Sequence, residues 1–193
     1  MNIGVFCASS DKLDQVYMEE AARLGQEIAR YSWTLVYGGT NCGLMGKLAL
    51  ATLEHGGGVK GVIPRCIAEK GVSANYVSDL VVAEDMKERK ELLRRFSDAF
   101  VALPGGWGTL EEITEVITLK QLGVHNKPIV FVNTAGFYNA FFRFIEESGD
   151  KGFISAVYTQ LYTVVDCAAD AIDYIRNYKA LPVTQKYRGL CEN

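Results

Sequence analysis

Ala99-Phe100-Val101-Ala102-Leu103-Pro104-Gly105-Gly106-Trp107-Gly108-Thr109-Leu110-Glu111-Glu112 is the stretch whose reading decides the fold. Five apolar residues in a row make a strand that must be covered on both faces, as in a parallel sheet. The glycines end it, and from Leu110 to Leu122 apolar residues return at helical spacing. A strand that turns through glycine directly into a helix is half of a βαβ unit. The alternation continues outward in both directions. Strands are expected at Ile3–Cys7, Thr34–Tyr37, Gly58–Ile63, Asp79–Val82, Ala99–Leu103, Pro128–Val132 and Leu161–Val165. Helices are expected at Gln15–Tyr31, Leu44–His55, Met86–Phe96, Leu110–Leu122, Phe137–Ser148 and Ala168–Tyr178. The fold class is therefore α/β, with a mostly parallel sheet and helices on both faces.

The chain has 193 residues, which fits one domain with a sizeable core. One unit over residues 1–180 is expected, followed by a loose tail at 181–193 where periodicity is lost. Hydrophobic residues make up 49% and charged ones 22%, values of a globular chain rather than a disordered one. A formal net charge of −3 without a basic block argues against a nucleic-acid or membrane partner. No apolar run approaches the ~20 residues of a membrane span, and the first residues lack the pattern of a signal peptide. Five cysteines form an odd set without a Cys-x-x-Cys pair, so neither a disulfide framework nor a zinc site is expected, and a cytoplasmic location is. His55 and His125 stand apart from any partner at metal-ligand spacing and read as surface or packing residues.

In open α/β sheets ligands sit outside the carboxyl ends of the strands, which makes the strand-to-helix loops the place to look. Gly38-Gly39-Thr40-Asn41-Cys42-Gly43-Leu44-Met45-Gly46 is one such loop, where glycine lets a ligand approach the main chain and the helix offers unpaired amides to phosphate. Tight helix packing would explain the same glycines. The loop has neither the Lys-Ser/Thr ending of a P-loop nor dinucleotide-fingerprint spacing. Pro104–Glu112 is the second loop, and two of them on one sheet edge would converge on one anion. Thr109 and Glu112 also spell a capping box, worth about 1 kcal/mol to the helix. Glu111, Glu112 and Glu115 crowd the first two turns, which surface design or a working carboxylate explains equally.

On the helix starting at Met86, Arg89 falls in the inward stripe with Met86, Leu93 and Phe96, while Glu88, Glu91 and Arg95 face solvent. A guanidinium there needs an anion or acceptors: a structural ion pair or a head group that snorkels past the apolar rows would serve, and a ligand-facing role is the preferred reading. Lys90 fits either face.

These residues spell a family. Pro104 to Glu112 matches a PGGxGTxxE signature, Met86 with Arg89-Lys90 an upstream MxxRK element, and Gly38 to Gly46 a GGxxGLMG segment; Ser9-Ser10 matches a serine pair. The chain resembles the LOG family, cytokinin riboside 5′-monophosphate phosphoribohydrolases long labelled possible lysine decarboxylases, over residues 1 to about 178. The resemblance implies a Rossmann-like homodimer that hydrolyses the N-glycosidic bond of adenosine 5′-monophosphates, often N6-substituted, with no metal or cofactor. Arg89 and Glu112 would be the catalytic pair. The substrate-binding set would be Ser9, Gly38, Gly39, Gly43, Met86, Lys90, Gly105, Gly106, Trp107, Gly108, Thr109, Leu110, Glu111, Glu115 and Thr118. The chain departs from the pattern at Ala8, where glycine is common, and at Cys66, where plant-type members carry a base-contacting glutamate. The stretch from Cys66 to Met86 is also longer. A non-catalytic nucleotide-binding or sensing module is the alternative, and a carrier of a phosphorylated pterin-like cofactor is a third reading.

Overall fold

The computed structural model describes residues 1–180; the expected tail at 181–193 lies outside the described residues. Seven strands form one all-parallel sheet: β1 (Asn2–Phe6), β2 (Thr34–Tyr37), β3 (Gly58–Pro64), β4 (Asp79–Ala83), β5 (Ala99–Ala102), β6 (Ile129–Val132) and β7 (Thr163–Val165). Their order is β4-β3-β2-β1-β5-β6-β7. The chain winds outward from β1 to β4, crosses back, and winds outward again from β5. The order therefore reverses between β1 and β5, and a crevice opens at their carboxyl ends.

The helices are α1 (Gln15–Arg30), α2 (Gly43–Glu54), α3 (Arg65–Ala68), α4 (Met86–Phe96), α5 (Trp107–Gln121), α6 (Asn139–Asp150) and α7 (Ala168–Asn177). Side chains alternate across each strand. Ile3, Val5, Leu35, Tyr37, Val101 and Val130 join the core beneath α1, α2 and α7, whereas Phe6, Val36, Phe100 and Phe131 join the core beneath α4, α5 and α6. Buried Glu20 of α1 accepts a hydrogen bond from the Ala168 amide and so caps the N-terminus of α7.

Each expected strand and helix is present, with three differences that matter. Helix α5 begins at Trp107 rather than Leu110, because Gly106 already serves as its N-cap. The capping box is consequently not formed: Thr109 and Glu112 both lie inside the helix. Met86 opens α4 at the sheet's carboxyl edge and is 46% exposed instead of packing inward. Helix α3, a single turn, is too short to leave a periodic signal.

Both histidines are bound to main chain. His55 Nδ1 lies 2.9 Å from the Ala51 carbonyl. His125 lies at the opposite end of the sheet from the crevice. Its Nδ1 accepts from the Lys127 amide at 3.2 Å, which leaves Nε2–H to donate to the Val116 carbonyl at 3.0 Å. Burial, with Lys127, Lys120 and Arg94 nearby, pulls its pKa down to about 4 from 6.5. Between these values the unfolded chain holds a proton that the folded chain does not, so acidification removes stability across that window. His125→Gln should lose less stability than the parent between pH 7 and pH 5, as read from urea midpoints at the two values.

Candidate active site

A cleft of about 520 Å³ occupies the crevice where the strand order reverses, a volume suited to a small ligand. Four strand ends build it. Cys7, Ala8, Ser9 and Ser10 follow β1, Gly38 and Thr40 follow β2, Pro64 and Ile67 come from β3 and α3, and Gly106 to Thr109 follow β5. Met45, Met86, Arg89, Glu111 and Glu112 complete the lining.

At its floor Arg89 of α4 and Glu112 of α5 form an ion pair, Nη1 to Oε1, with side chains 8% and 6% exposed. Arg89 Nε donates to the Val62 carbonyl at 3.3 Å, so two anchors fix the plane of the guanidinium. Burial raises the Glu112 pKa, and the Arg89 charge and hydrogen bond oppose that rise. A carboxyl held between these influences is suited to proton chemistry. Cys7 is buried beside it. Burial, reinforced by Glu112, pushes its thiol upward, so it stays protonated and is no nucleophile.

A ladder of charges continues below the pair. Lys90 bonds to Glu111 and lies 3.3 Å from Glu115, whose other oxygen accepts from Arg94 at 2.8 Å. The three carboxylates crowding the start of α5 are therefore matched by three cations on α4. Exposed, such pairs contribute little, but here they set the register of one helix against the other.

The two glycine loops behave differently. At α2 the Asp11 carboxylate accepts from the Gly43 amide at 2.7 Å and the Ala8 carbonyl from the Leu44 amide at 3.0 Å. Gly43 has φ +55°, and a Cβ there would lie 2.5 Å from the Ser10 carbonyl oxygen. The chain's own carboxylate thus occupies the position where the sequence suggests phosphate. At α5 the amides of Trp107, Gly108 and Thr109 meet no protein acceptor among the described residues and line the cleft. Trp107 stands at the lip, 89% exposed.

Of the expected site residues, the cleft brings together Ser9, Gly38, Met86, Arg89, Gly106, Trp107, Gly108, Thr109, Glu111 and Glu112. Gly39, Gly43, Lys90, Gly105, Leu110, Glu115 and Thr118 lie outside its lining. Thr118 is exposed and its hydroxyl donates to the Thr114 carbonyl. Cys7, Ala8, Ser10, Thr40, Met45, Pro64 and Ile67 line it without belonging to the expected set, although all but Met45 and Ile67 stand at a strand end or in the loop that leaves it, where the carboxyl-edge rule points. The Thr40 wall is held by the segment before β4: Asn41 donates to Val72, Ala74 to Gly39, each at 3.0 Å, and Thr40 bridges Ser73. Among the described residues, no helix is long and apolar enough to cross a membrane.

Residues 45–175 match a family model described as possible lysine decarboxylase. The chain is 40% identical over 175 residues to cytokinin riboside 5′-monophosphate phosphoribohydrolase LOG5 of Arabidopsis thaliana, covering 91% of this chain and 77% of that protein. It is 38% identical over 174 residues to probable cytokinin riboside 5′-monophosphate phosphoribohydrolase LOGL2 of Oryza sativa subsp. japonica, covering 90% and 71%. Among solved structures it resembles the Moco carrier protein of Chlamydomonas reinhardtii, with TM-score 0.69, 24% identity and coverage of 91% and 94%. The molybdenum cofactor binding protein of Rippkaea orientalis gives TM-score 0.70, 20% identity and coverage of 91% and 94%. These two likenesses carry the fold.

Removing Arg89 would strand a buried carboxylate. Arg89→Ala should cost about 3 kcal/mol at pH 8. Without the cation the folded Glu112 pKa rises further above its unfolded value, so this penalty shrinks as pH falls and the carboxyl protonates. Urea denaturation at pH 8 and pH 5.5 should show the larger deficit at pH 8; an equal deficit at both would mean that the pair does not carry Glu112's charge.

Proposed function

We infer the activity from kinship: the chain belongs to the LOG family, whose matching model is described as possible lysine decarboxylase, and it hydrolyses the N-glycosidic bond of nucleoside 5′-monophosphates. The products are a free base and ribose 5-phosphate, with adenosine and N6-substituted adenosine monophosphates as the substrate class. The observation that carries this reading is the buried Arg89–Glu112 pair facing a cleft that also presents unpaired helix amides. One unit, residues 1–180, holds the whole site.

In the proposed reaction the 5′-phosphate rests on the amides of Trp107, Gly108 and Thr109, where the α5 dipole favours an anion. That places the sugar over Glu112. Breaking the C1′–N bond leaves positive charge on the ribose, which the Glu112 carboxylate stabilises while it orients the attacking water. The water oxygen bonds to C1′. One of its protons passes through Glu112, whose raised pKa suits it to take the proton up, and the departing base gains a proton. Arg89 holds Glu112 ionised until then. The chemistry asks for no metal and no organic cofactor. The lysine decarboxylase label fits poorly, because among the described residues no lysine lines the cleft.

A homodimer is proposed with it. Helix α6 has no buried residue, and Phe144 on it is 64% exposed, an apolar surface suited to a second copy. A reducing cytoplasm is proposed as the compartment, on the odd set of five cysteines without a Cys-x-x-Cys pair.

Incubation with AMP and with isopentenyladenosine monophosphate should release ribose 5-phosphate. Glu112→Gln should abolish turnover, by about a thousandfold or more, while binding is retained. Arg89→Ala should weaken both binding and turnover. Tight AMP binding without product from any purine monophosphate would favour the non-catalytic reading, and activity surviving in Glu112→Gln would rule out the carboxylate's role.

A further inference from the structure

Gly38 opens the first glycine loop, and the α2 end that it leads to is already capped by Asp11. Its immediate neighbours are side chains. A Cβ built on Gly38 would lie 2.6 Å from Arg89 Nη2, 2.9 Å from Met45 Sδ and 3.2 Å from Met45 Cε. The far edge of the guanidinium therefore rests where any other residue would carry its first carbon. The Met45 thioether closes the same pocket and is itself held, since Thr40 Oγ1 donates to Sδ at 3.3 Å. Arg89 is thus fixed on three sides: Nε on the Val62 carbonyl, Nη1 on Glu112, and Nη2 against Gly38 and Met45.

We infer that Gly38 and Met45 are positioning residues that seat the Arg89 guanidinium against Glu112, so that this glycine serves the arginine and not a phosphate. The inference rests on the proposed hydrolase reading for its kinetic consequence. A side chain at position 38 would push Nη2 away and rotate Nη1 off the carboxylate, misaligning the pair while leaving the α5 amides untouched. The loss then falls on turnover, because the misplaced groups act in the transition state, whereas ground-state binding through the phosphate survives.

The test is a cycle of four proteins: the parent, Gly38→Ala, Arg89→Lys and the double variant. Lysine keeps the charge but lacks Nη2, which removes the atom that the new methyl would strike. Gly38→Ala should lower kcat by about tenfold with KM within about twofold, and should change kcat by less than about twofold in the Arg89→Lys background. A raised KM with unchanged kcat, or losses that multiply across the cycle, would overturn the seat and restore a phosphate role. Thermal unfolding of the same four proteins reads the contact without catalysis. Gly38→Ala should lower the midpoint more in the parent background than in the Arg89→Lys background; equal lowering in both overturns the inference. If the parent hydrolyses no purine monophosphate, the functional reading fails and the unfolding cycle alone decides the seat. Thr40→Val, a smaller perturbation, frees the Met45 sulfur and should reduce kcat severalfold at unchanged KM; an unaffected kcat would remove Met45 from the seat.

Discussion

A buried guanidinium on the crossover helix α4 and a buried carboxylate on α5, the helix after the next strand, are the constraint around which this molecule is organised. Neither charge is tolerable alone at such depth, so each fixes the other. Arg89 needs helix α4 to lie across the sheet at one rotation, and Glu112 needs α5 to start no later than Trp107. The ladder of Lys90 and Arg94 against Glu111 and Glu115 repeats that registration one turn further from the cleft, in a more solvated setting.

The same constraint explains how the two glycine loops divide their work. At α2 the amides turn inward and are spent on Asp11 and Ala8, which ties the end of β1 to its neighbour. The Ala8 amide in turn donates to the Pro104 carbonyl at 3.2 Å, so the first strand's loop is stitched to both glycine turns. Of the two, the α5 end keeps its donors open toward the cleft. One loop is a hinge-free support and the other a receptor, although their sequences look alike.

Much of this was legible in the residues. Each strand and long helix could be read because short continuous apolar runs alternate with stretches of 3.6-residue periodicity, and Arg89 announced itself by sharing a stripe with Met86, Leu93 and Phe96. Glu112 was harder. Its spacing from Thr109 imitates a capping box, and only the position of Gly106 as N-cap shows that it belongs to the helix interior. Asp11 could not be read at all. It lies 32 residues before Gly43, and nothing local distinguishes it from an ordinary loop aspartate. Ile67 and Met45 were equally silent, since an apolar side chain facing a cleft looks like one facing a core. Pairings across the fold, as opposed to those along an element, are what the linear pattern hides.

Helix α4 is the connection that carries the chain from β4, at one border of the sheet, back over the centre to β5. Both members of the ion pair therefore belong to the returning half of the chain, from residue 86 onward. The segment between β3 and β4 contributes only Ile67 and the brace on Thr40, and it stands upstream of that registration. Its reach nonetheless extends past that wall: by bracing Thr40, whose hydroxyl holds the Met45 sulfur, it bears on the arginine across the cleft.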